Sequence, residues 1–299
     1  MTRLERKTLR TGLLFALPWF IGLSVFTLYP VGASLFYSFC DYSVLQAPIW
    51  TGTENYQRML QDVVFWKSLR NTGFYVALAL PLGMVTSLAL ALLLNTGVRG
   101  MPMFRTIFYL PSIVPVVAGS MLWLWIFNGQ YGLLNWALGP VCRFIGVAPP
   151  AWLADPHWAK PALVLMSLWG AGNSMIIYLA GLQDVPTELY ESAELDGAGW
   201  WRRLWHITLP VISPVIYFNL IMGIIGALQT FTTVFIMTGG AEGNPARSTL
   251  FYALYLFSTA FYDLRMGYAS AMAWVLFLLI VALTVLATKL SQKRVHYAG

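Results

Sequence analysis

The stretch MGYASAMAWVLFLLIVALTVLAT, residues 266–288, contains no Asp, Glu, Lys or Arg. It is longer than the roughly 20 apolar residues that a helix needs to cross the hydrocarbon core of a bilayer. Five other long stretches are free of the same four residue types; in chain order they are residues 11–39, 72–94, 106–127, 161–183 and 209–237. The sequence therefore predicts an all-α polytopic membrane protein with six transmembrane helices.

The composition agrees with this prediction. Hydrophobic residues make up 58% of the 299-residue chain and charged residues only 10%, far outside the range of soluble domains. We expect helices because the alternating pattern of a membrane barrel, about 10 residues per strand, is absent. The first apolar stretch, residues 11–39, exceeds the roughly 7–15 apolar residues of a secretory signal. It should therefore remain as a membrane anchor.

The basic residues predict the orientation of the chain. An even number of spans places both termini on one side, and short loops rich in Lys and Arg face the cytoplasm. The predicted inner segments contain eleven basic residues, against seven in the longer outer loops. The eleven are Arg3, Arg6, Lys7, Arg10, Arg99, Arg105, Arg202, Arg203, Lys289, Lys293 and Arg294. The net charge of +6 thus reflects membrane topology and argues against nucleic-acid binding.

These observations divide the chain into three parts. We predict a cytoplasmic tail at residues 1–10, a transmembrane domain at residues 11–288 and a second cytoplasmic tail at residues 289–299. Within the spans, Pro81, Pro111 and Pro115 are expected to kink their helices. The predicted location is the inner membrane, with multiple passes and both termini in the cytoplasm.

Motifs for catalysis and nucleotide binding are missing from the sequence. It has no P-loop, no His-Glu-x-x-His and no Gly-x-Ser-x-Gly. Cys40 and Cys142 stand at no metal-type spacing with each other or with His157, so we expect no metal. Two free thiols are expected, and a disulfide between them is the alternative. A carrier coupled to an ion usually needs an ionisable residue inside a span, and the six spans contain none. We therefore expect no enzyme activity, no cofactor in this chain and an energy source in a partner.

One predicted inner loop, residues 184–208, holds five of the twelve acidic residues. Thr187 is expected to cap a helix with Glu188 in its first turn, where the positive end of the helix dipole favours a carboxylate. Gly197 and Gly199 are expected to end that helix. A second amphipathic piece follows, whose apolar residues recur at helical spacing: Trp200, Leu204 and Ile207. Periodicity alone is equally consistent with a helix lying at the membrane surface and with a docking element.

The order of residues in this loop resembles the signature of the permease subunits of binding-protein-dependent ABC importers. That signature is Glu-Ala-Ala, three residues, Gly, nine residues, Ile, one residue, Leu-Pro. This chain has Glu191-Ser192-Ala193, Gly197, Ile207 and Leu209-Pro210 at those spacings, with Ser192 as the single departure. Residues 105–111, 128–135, 238–240 and 266–271 are similar to the carbohydrate, maltose-type branch.

The resemblance implies a coupling helix, between spans four and five, that docks on a separate ATPase. The residues assigned to coupling are Glu188, Glu191, Ser192, Ala193, Asp196, Gly197, Ile207, Leu209 and Pro210. It also implies a second homologous permease, two copies of an ABC ATPase that uses ATP and Mg²⁺, and an extracytoplasmic solute-binding protein, with membrane lipid around the spans.

The function implied by the resemblance is import of a sugar across the inner membrane by alternating access. A polyol or glycerol phosphate as the solute, or a self-contained secondary carrier, are the alternatives. Polar and aromatic residues of the fourth and fifth spans are the candidates for the substrate pathway, although such residues also join helices to one another. They are Trp169, Asn173, Ser174, Tyr178, Asn219, Gln229, Thr230, Phe231, Thr232 and Thr233.

Overall fold

The computed structural model describes residues 2–291, and most of these residues are helical. Three helices are individually long and apolar enough to cross a membrane: Thr8–Ser38, Val63–Leu94 and Met266–Ser291. Three helix pairs pass the same test together and are bent at a short break, by 97°, 47° and 68° in chain order. Each bent pair counts as one span, which gives the six predicted spans.

The element bounds follow the chain from its amino terminus. The first span combines α1 and α2 through a π-helical segment, Ser24–Leu28. The helices are α1 (Arg3–Leu23), α2 (Tyr29–Ser38), α3 (Glu54–Gln61), α4 (Val63–Leu94), α5 (Met101–Ile113), α6 (Val116–Ile126), α7 (Leu133–Ile145), α8 (Pro156–Trp169), α9 (Gly172–Gln183), α10 (Thr187–Leu195), α11 (Trp200–Arg203), α12 (Leu209–Val211), α13 (Ser213–Leu228), α14 (Thr232–Met237), α15 (Tyr252–Phe261) and α16 (Met266–Ser291). A second π-helical segment, Leu204–Thr208, joins α11 to α12, and the two strands are β1 (Cys40–Asp41) and β2 (Ile49–Trp50).

The ends of the helices depart from the predicted spans. Helix α4 begins at Val63, nine residues before the predicted residue 72, so it includes Lys67 and Arg70. A helix does not have to end where the hydrocarbon core ends, so the charge-free stretch is shorter than the helix. Helix α1 likewise begins at Arg3, inside the predicted tail at residues 1–10. At the other end α16 continues to Ser291, and the remainder of the predicted tail, with Lys293 and Arg294, lies outside the described residues.

Only one of the three prolines that were predicted to kink a span lies at a break between two helices. Pro115 is the residue immediately before α6, at the 97° bend, which confirms the kink predicted there. Pro111 lies inside α5, and Pro81 lies inside the uninterrupted helix α4. The breaks at residues 170–171, at residue 212 and at residues 229–231 were not predicted. At residue 212, Pro214 stands in the first turn of α13, where its missing N–H leaves no helical hydrogen bond unmade.

The chain divides into two compact units, of which one comprises the residues up to 62 together with 256–277. Strands β1 and β2 pair antiparallel in this unit, Cys40 opposite Trp50. The Gly267 N–H donates to the Tyr42 carbonyl at 3.0 Å, and a side chain at Gly267 would collide with the Cys40 carbonyl. The backbone at the start of α16 therefore requires glycine.

The other unit comprises residues 63–255 and the carboxyl-terminal part of α16. It contains two buried apolar clusters, called here the upper and the lower cluster. The upper cluster includes Tyr75, Phe127, Trp152, Leu163, Phe251 and Leu254. The lower cluster includes Ala91, Leu94, Met175, Tyr178, Leu182 and Ile212. Helices α4, α8 and α9 contribute to these clusters, which position the candidate site residues described next.

Candidate coupling segment and solute pathway

Helix α10 starts one residue earlier than predicted. Pro186 is the capping residue, with extended backbone, and Thr187 is the first helical residue, so the predicted role of Thr187 as the cap is wrong. Pro186 has no side-chain oxygen to accept a hydrogen bond, and no side chain caps the helix here. Glu188 lies in the first turn as predicted, where its charge is favourable to the helix dipole.

The carboxyl end of α10 is closed by a pair of backbone hydrogen bonds. The Gly197 N–H donates to the Glu194 carbonyl at 3.0 Å, and the Ala198 N–H donates to the Ala193 carbonyl at 2.8 Å. This Schellman pattern needs a left-handed residue, and Gly197 supplies it with a φ of 72°. Gly199 has a φ of −67° and caps the next helix. Both glycines lie at helix boundaries as predicted, but only Gly197 has the conformation that favours glycine.

The outward surface of α10 combines acidic and apolar side chains. The predicted coupling residues Glu188, Glu191, Ser192, Asp196 and Gly197 are all exposed, whereas Ala193 is half-buried. Leu195 is 91% exposed in the described chain. The Ser192 hydroxyl donates within the helix to the Glu188 carbonyl at 2.8 Å, so it is committed to α10 itself. The surface is therefore an uncovered apolar patch with acidic neighbours.

Two side-chain contacts join α10 to the segment that leads back into the membrane, residues 200–211. The hydroxyls of Tyr190 and Thr208 lie 2.9 Å apart, and Arg203 forms an ion pair with Glu194. These two contacts were not predicted from the sequence, because they join positions that no helical repeat relates. The remaining predicted coupling residues lie in the same segment, residues 200–211. Ile207 and Leu209 pack against the lower cluster, and Pro210 lies in the first turn of α12.

A first cavity of about 420 Å³ opens between α4, α9 and α13. Three predicted pathway residues line it, namely Ser174, Asn219 and Thr230. The Asn219 amide donates to the Val215 carbonyl at 3.0 Å, and the Thr230 hydroxyl donates to the Gly226 carbonyl at 3.2 Å. Asn219 is thus held within α13, and Thr230 is held by the last turn of that helix; both still contribute to the lining.

A second cavity, of about 410 Å³, is lined by another three predicted residues, Trp169, Asn173 and Thr233. Both cavities share Tyr75, Ser167 and Gly170 in their linings. The ring of Trp169 meets that of Trp123 edge to face, with centroids 6.1 Å apart. Trp169 thus gives the second cavity an aromatic wall that Trp123 contacts from behind.

The other predicted pathway residues lie elsewhere. Tyr178 is only 1% exposed and belongs to the lower cluster, apart from both cavity linings. Phe231 packs against the upper cluster, and Gln229 and Thr232 are exposed. Conversely, Tyr75, Ser87 and Ser167 line the cavities and were not predicted. All three are polar side chains within apolar spans, which is the pattern that identified the other candidates. Tyr75 and Ser87 were missed because they lie in the second span, whereas candidates were chosen from the fourth and fifth spans only.

Comparison with known proteins agrees with the layout of spans. The chain matches the family described as binding-protein-dependent transport system inner membrane component over residues 79–297. It is 42% identical to "Probable ABC transporter permease protein YesP" of Bacillus subtilis (strain 168), over 99% of this chain and 95% of that protein. It is 34% identical to the lactose transport system permease protein LacF of Rhizobium radiobacter, over 95% and 94% of the two chains.

A solved structure has the same fold. It is that of a bacterial alginate ABC transporter in complex with an alginate pentasaccharide-bound periplasmic protein. One of its chains superposes with a TM-score of 0.83 and 25% identity, over 98% of each chain.

Proposed function

The chain belongs to the family of binding-protein-dependent transport system inner membrane components, and we propose that the solute it carries across the membrane is a sugar. It is a multi-pass membrane protein and the permease subunit of an ABC importer. The observation that carries the sugar assignment is the chemistry of the two cavities. Every lining residue that the structure describes is uncharged, and the polar ones are hydroxyl and amide side chains.

A sugar matches this lining in two ways. Its hydroxyl groups donate and accept hydrogen bonds, as Ser174, Asn219 and Thr230 do. Its C–H faces pack on aromatic rings, which Trp169 offers in the second cavity. The relative from Rhizobium radiobacter is named for lactose and the solved importer for alginate, and both are carbohydrates. This supports a sugar over a polyol.

Glycerol phosphate is the less suitable solute. A phosphate group is bound best by Arg or Lys, through short charge-assisted hydrogen bonds. The described linings of both cavities supply neither residue. A self-contained secondary carrier is disfavoured on the same ground, because the coupling ion would need an ionisable group at the site.

The proposed energy source is ATP hydrolysis by a partner, received through α10. The exposed patch around Leu195 and Glu191 would sit in a cleft of the ATPase, with Glu188 and Asp196 beside it. The bonds of Tyr190 and Arg203 would carry the motion of α10 into the fifth span. ATP binding would close two ATPase copies, and the cavities would change from inward-facing to outward-facing access. A second permease would complete the pathway, with both termini of this chain on the ATPase side.

Reconstitution tests the proposal. The chain would be assembled with the second permease, the ATPase and the solute-binding protein in liposomes, and uptake of a radiolabelled sugar would be followed with ATP on the ATPase side. Glu191→Ala should reduce uptake and sugar-stimulated ATP hydrolysis together, whereas sugar binding to the isolated solute-binding protein should not change. Ser192→Ala is the matched control, because it introduces the alanine of the family signature and removes only a bond internal to α10.

Two outcomes would overturn the proposal. Sugar transport by the purified chain alone would indicate a secondary carrier. Normal uptake and ATP hydrolysis by the Glu191→Ala complex would remove the coupling role of α10. A thermal-shift screen of the solute-binding protein against mono-, di- and oligosaccharides, polyols and glycerol phosphate would identify the solute, and a response to glycerol phosphate alone would overturn the sugar assignment.

A further inference from the structure

Helix α7 presents an apolar stripe that the described chain leaves uncovered. At about 100° per residue, the large apolar residues that are exposed lie on one half of the helix circumference. They are Leu133 (50% exposed), Trp136 (77%), Val141 (52%) and Phe144 (93%), and Ile145 (65%) lies at the edge of the stripe. Such a face on a helix in water would be unfavourable, because its apolar area stays hydrated.

The opposite face of α7 is firmly held. Asn135 is buried, and its amide donates to the Gly129 carbonyl at 3.0 Å and to the Pro150 carbonyl at 3.1 Å. Its carbonyl accepts a hydrogen bond from the Trp152 indole at 2.8 Å. Leu134 and Leu138 pack against the upper cluster. The exposed stripe is therefore a fixed surface and cannot turn inward without breaking these three hydrogen bonds.

The position of α7 in the chain sets its depth. It lies between α6, which ends the third span at Ile126, and α8, which begins the fourth at Pro156. A segment between two consecutive spans lies at one membrane face, and α10, between the fourth and fifth spans, lies at the other. Helix α7 is thus held at the level where the spans leave the hydrocarbon core.

We propose that α7 is an interfacial anchor, with its apolar stripe inserted between the headgroups and acyl chains of the phospholipid bilayer. Trp136 and Arg143 are seven residues apart and lie on the same flank of the stripe. An indole is favourable at the headgroup level, and an arginine there reaches phosphate groups with its guanidinium. Val141 and Ile145, on the other flank, would point toward the acyl chains.

A docking solute-binding protein is a weaker match to this surface. A partner that binds and leaves uses a surface about as polar as the rest of the protein, since each side must also be stable in water. The stripe carries no charge other than Arg143 on its flank, which fits permanent cover by lipid. The proposal is independent of the sugar assignment, because it depends only on the membrane location and on the contacts of α7.

Spin-label depth measurements test the proposal on the full chain in lipid nanodiscs of phosphatidylethanolamine and phosphatidylglycerol. A nitroxide would be attached at Phe144→Cys in a Cys40→Ser, Cys142→Ser background. Its collision rates with oxygen, which partitions into lipid, and with a water-soluble nickel chelate would then be compared. Leu195→Cys is the matched control, because Leu195 is 91% exposed on α10, and this surface faces water in nanodiscs that contain the chain without the ATPase.

The label at residue 144 should show an oxygen-to-nickel ratio several-fold higher than the label at residue 195, and adding the solute-binding protein should not change it. Equal ratios at the two positions would overturn the proposal. Nickel access at residue 144 that is lost only when the solute-binding protein is added would also overturn it, in favour of a protein-docking face.

A second measurement uses the unmodified chain, in case the labelled variants fail to fold. A phospholipid with a photoreactive group near its headgroup would be crosslinked in nanodiscs, and the adducts mapped by mass spectrometry. Adducts within residues 133–145 are expected. Adducts on α4 and α16 with none on α7 would contradict the proposal.

Discussion

The hydroxyl of Tyr190 lies 2.9 Å from Oγ1 of Thr208, across the turn that separates α10 from the return to the membrane. Thr208 is 5% exposed, and its hydroxyl also approaches the Arg203 carbonyl at 3.4 Å. Thr208 ends the π-helical segment Leu204–Thr208, which continues directly into α12. A displacement of α10 would therefore reach the fifth span through a side-chain contact as well as through the chain.

Removing this contact should weaken coupling more than folding. Tyr190→Phe keeps the ring and deletes the hydroxyl, which should cost about 1 kcal/mol of stability. We expect sugar uptake per ATP hydrolysed to fall in reconstituted liposomes, because α10 can then move without the return helix. Thr208→Ser, which retains a hydroxyl at the same place, should keep the ratio close to that of the unmodified chain. An unchanged ratio in Tyr190→Phe would show that the contact has no part in coupling.

The ion pair between Glu194 and Arg203 should contribute less to stability. The Glu194 side chain is 63% exposed and that of Arg203 25%, so solvent screens the attraction. Exposed pairs typically contribute about 0–1 kcal/mol. A double-mutant cycle of Glu194→Gln and Arg203→Met, followed by thermal unfolding in detergent, should give a coupling energy in that range that falls with added salt. A larger, salt-independent value would indicate that the pair is effectively buried.

Gly197 and Gly199 should respond differently to the same substitution. A Cβ has open space at both positions, so packing does not distinguish them. The φ of 72° at Gly197 is unfavourable for alanine by about 1–2 kcal/mol, whereas Gly199 has an ordinary φ. Gly197→Ala should loosen the end of α10 and lower ATP-driven uptake, and Gly199→Ala should leave uptake nearly unchanged. Amide hydrogen exchange of residues 193–198 would show the loosening directly, and equal exchange in the two variants would rule out the backbone explanation.

Features of the fold that depend on local residue types were predictable from the sequence. Spans follow from the absence of charge in long apolar stretches, and the end of α10 follows from a glycine at its boundary. The bends in the fourth and fifth spans at Gly170 and Ile212 were not predictable by the same reasoning. A break between two apolar helices depends on neighbouring helices that satisfy the freed carbonyls, and this information is not local.

The residues that line the cavities were likewise only partly predictable from the sequence. Polar and aromatic residues in the fourth and fifth spans were identified by type, and six of the ten line a cavity. Tyr178 has the same character in sequence but turns into the lower cluster, because its direction depends on the rotation of α9. Helices α3, α7 and α15 were missed, since outer loops were judged by charge and turn residues and not by helical periodicity.

Substitutions at Asn173 and Tyr178 should distinguish a residue of the solute pathway from a residue of the protein core. Asn173 is exposed and lines the second cavity, so Asn173→Ala should lower the sugar transport rate several-fold with little change in melting temperature. Tyr178 is buried, so Tyr178→Ala should lower stability by about 3 kcal/mol or more through the cavity it leaves. Tyr178→Phe, which keeps the ring, is the control and should retain stability and transport. Normal transport by Asn173→Ala would remove that residue from the pathway.

Gly172 of α9 lies close against the backbone of α5, and its substitution should separate the two helices. A Cβ built there would lie 2.5 Å from the Phe108 carbonyl oxygen and 3.0 Å from Cα of Tyr109. Both are backbone atoms, so no rotamer change can relieve the collision. Overpacking of this kind costs about 1–3 kcal/mol.

Gly73→Ala is the matched control for Gly172→Ala. Gly73 lies inside α4 with open space at its Cβ position, and alanine in a helix is favoured over glycine by about 0.5–1 kcal/mol. Thermal unfolding in detergent should therefore show a lower melting temperature for Gly172→Ala and an equal or higher one for Gly73→Ala. Because α5 and α9 also supply Pro111 and Asn173 to the second cavity, Gly172→Ala should lower sugar uptake even below its melting transition. An unchanged melting temperature would mean that α5 and α9 pack less closely in the membrane than in the structure.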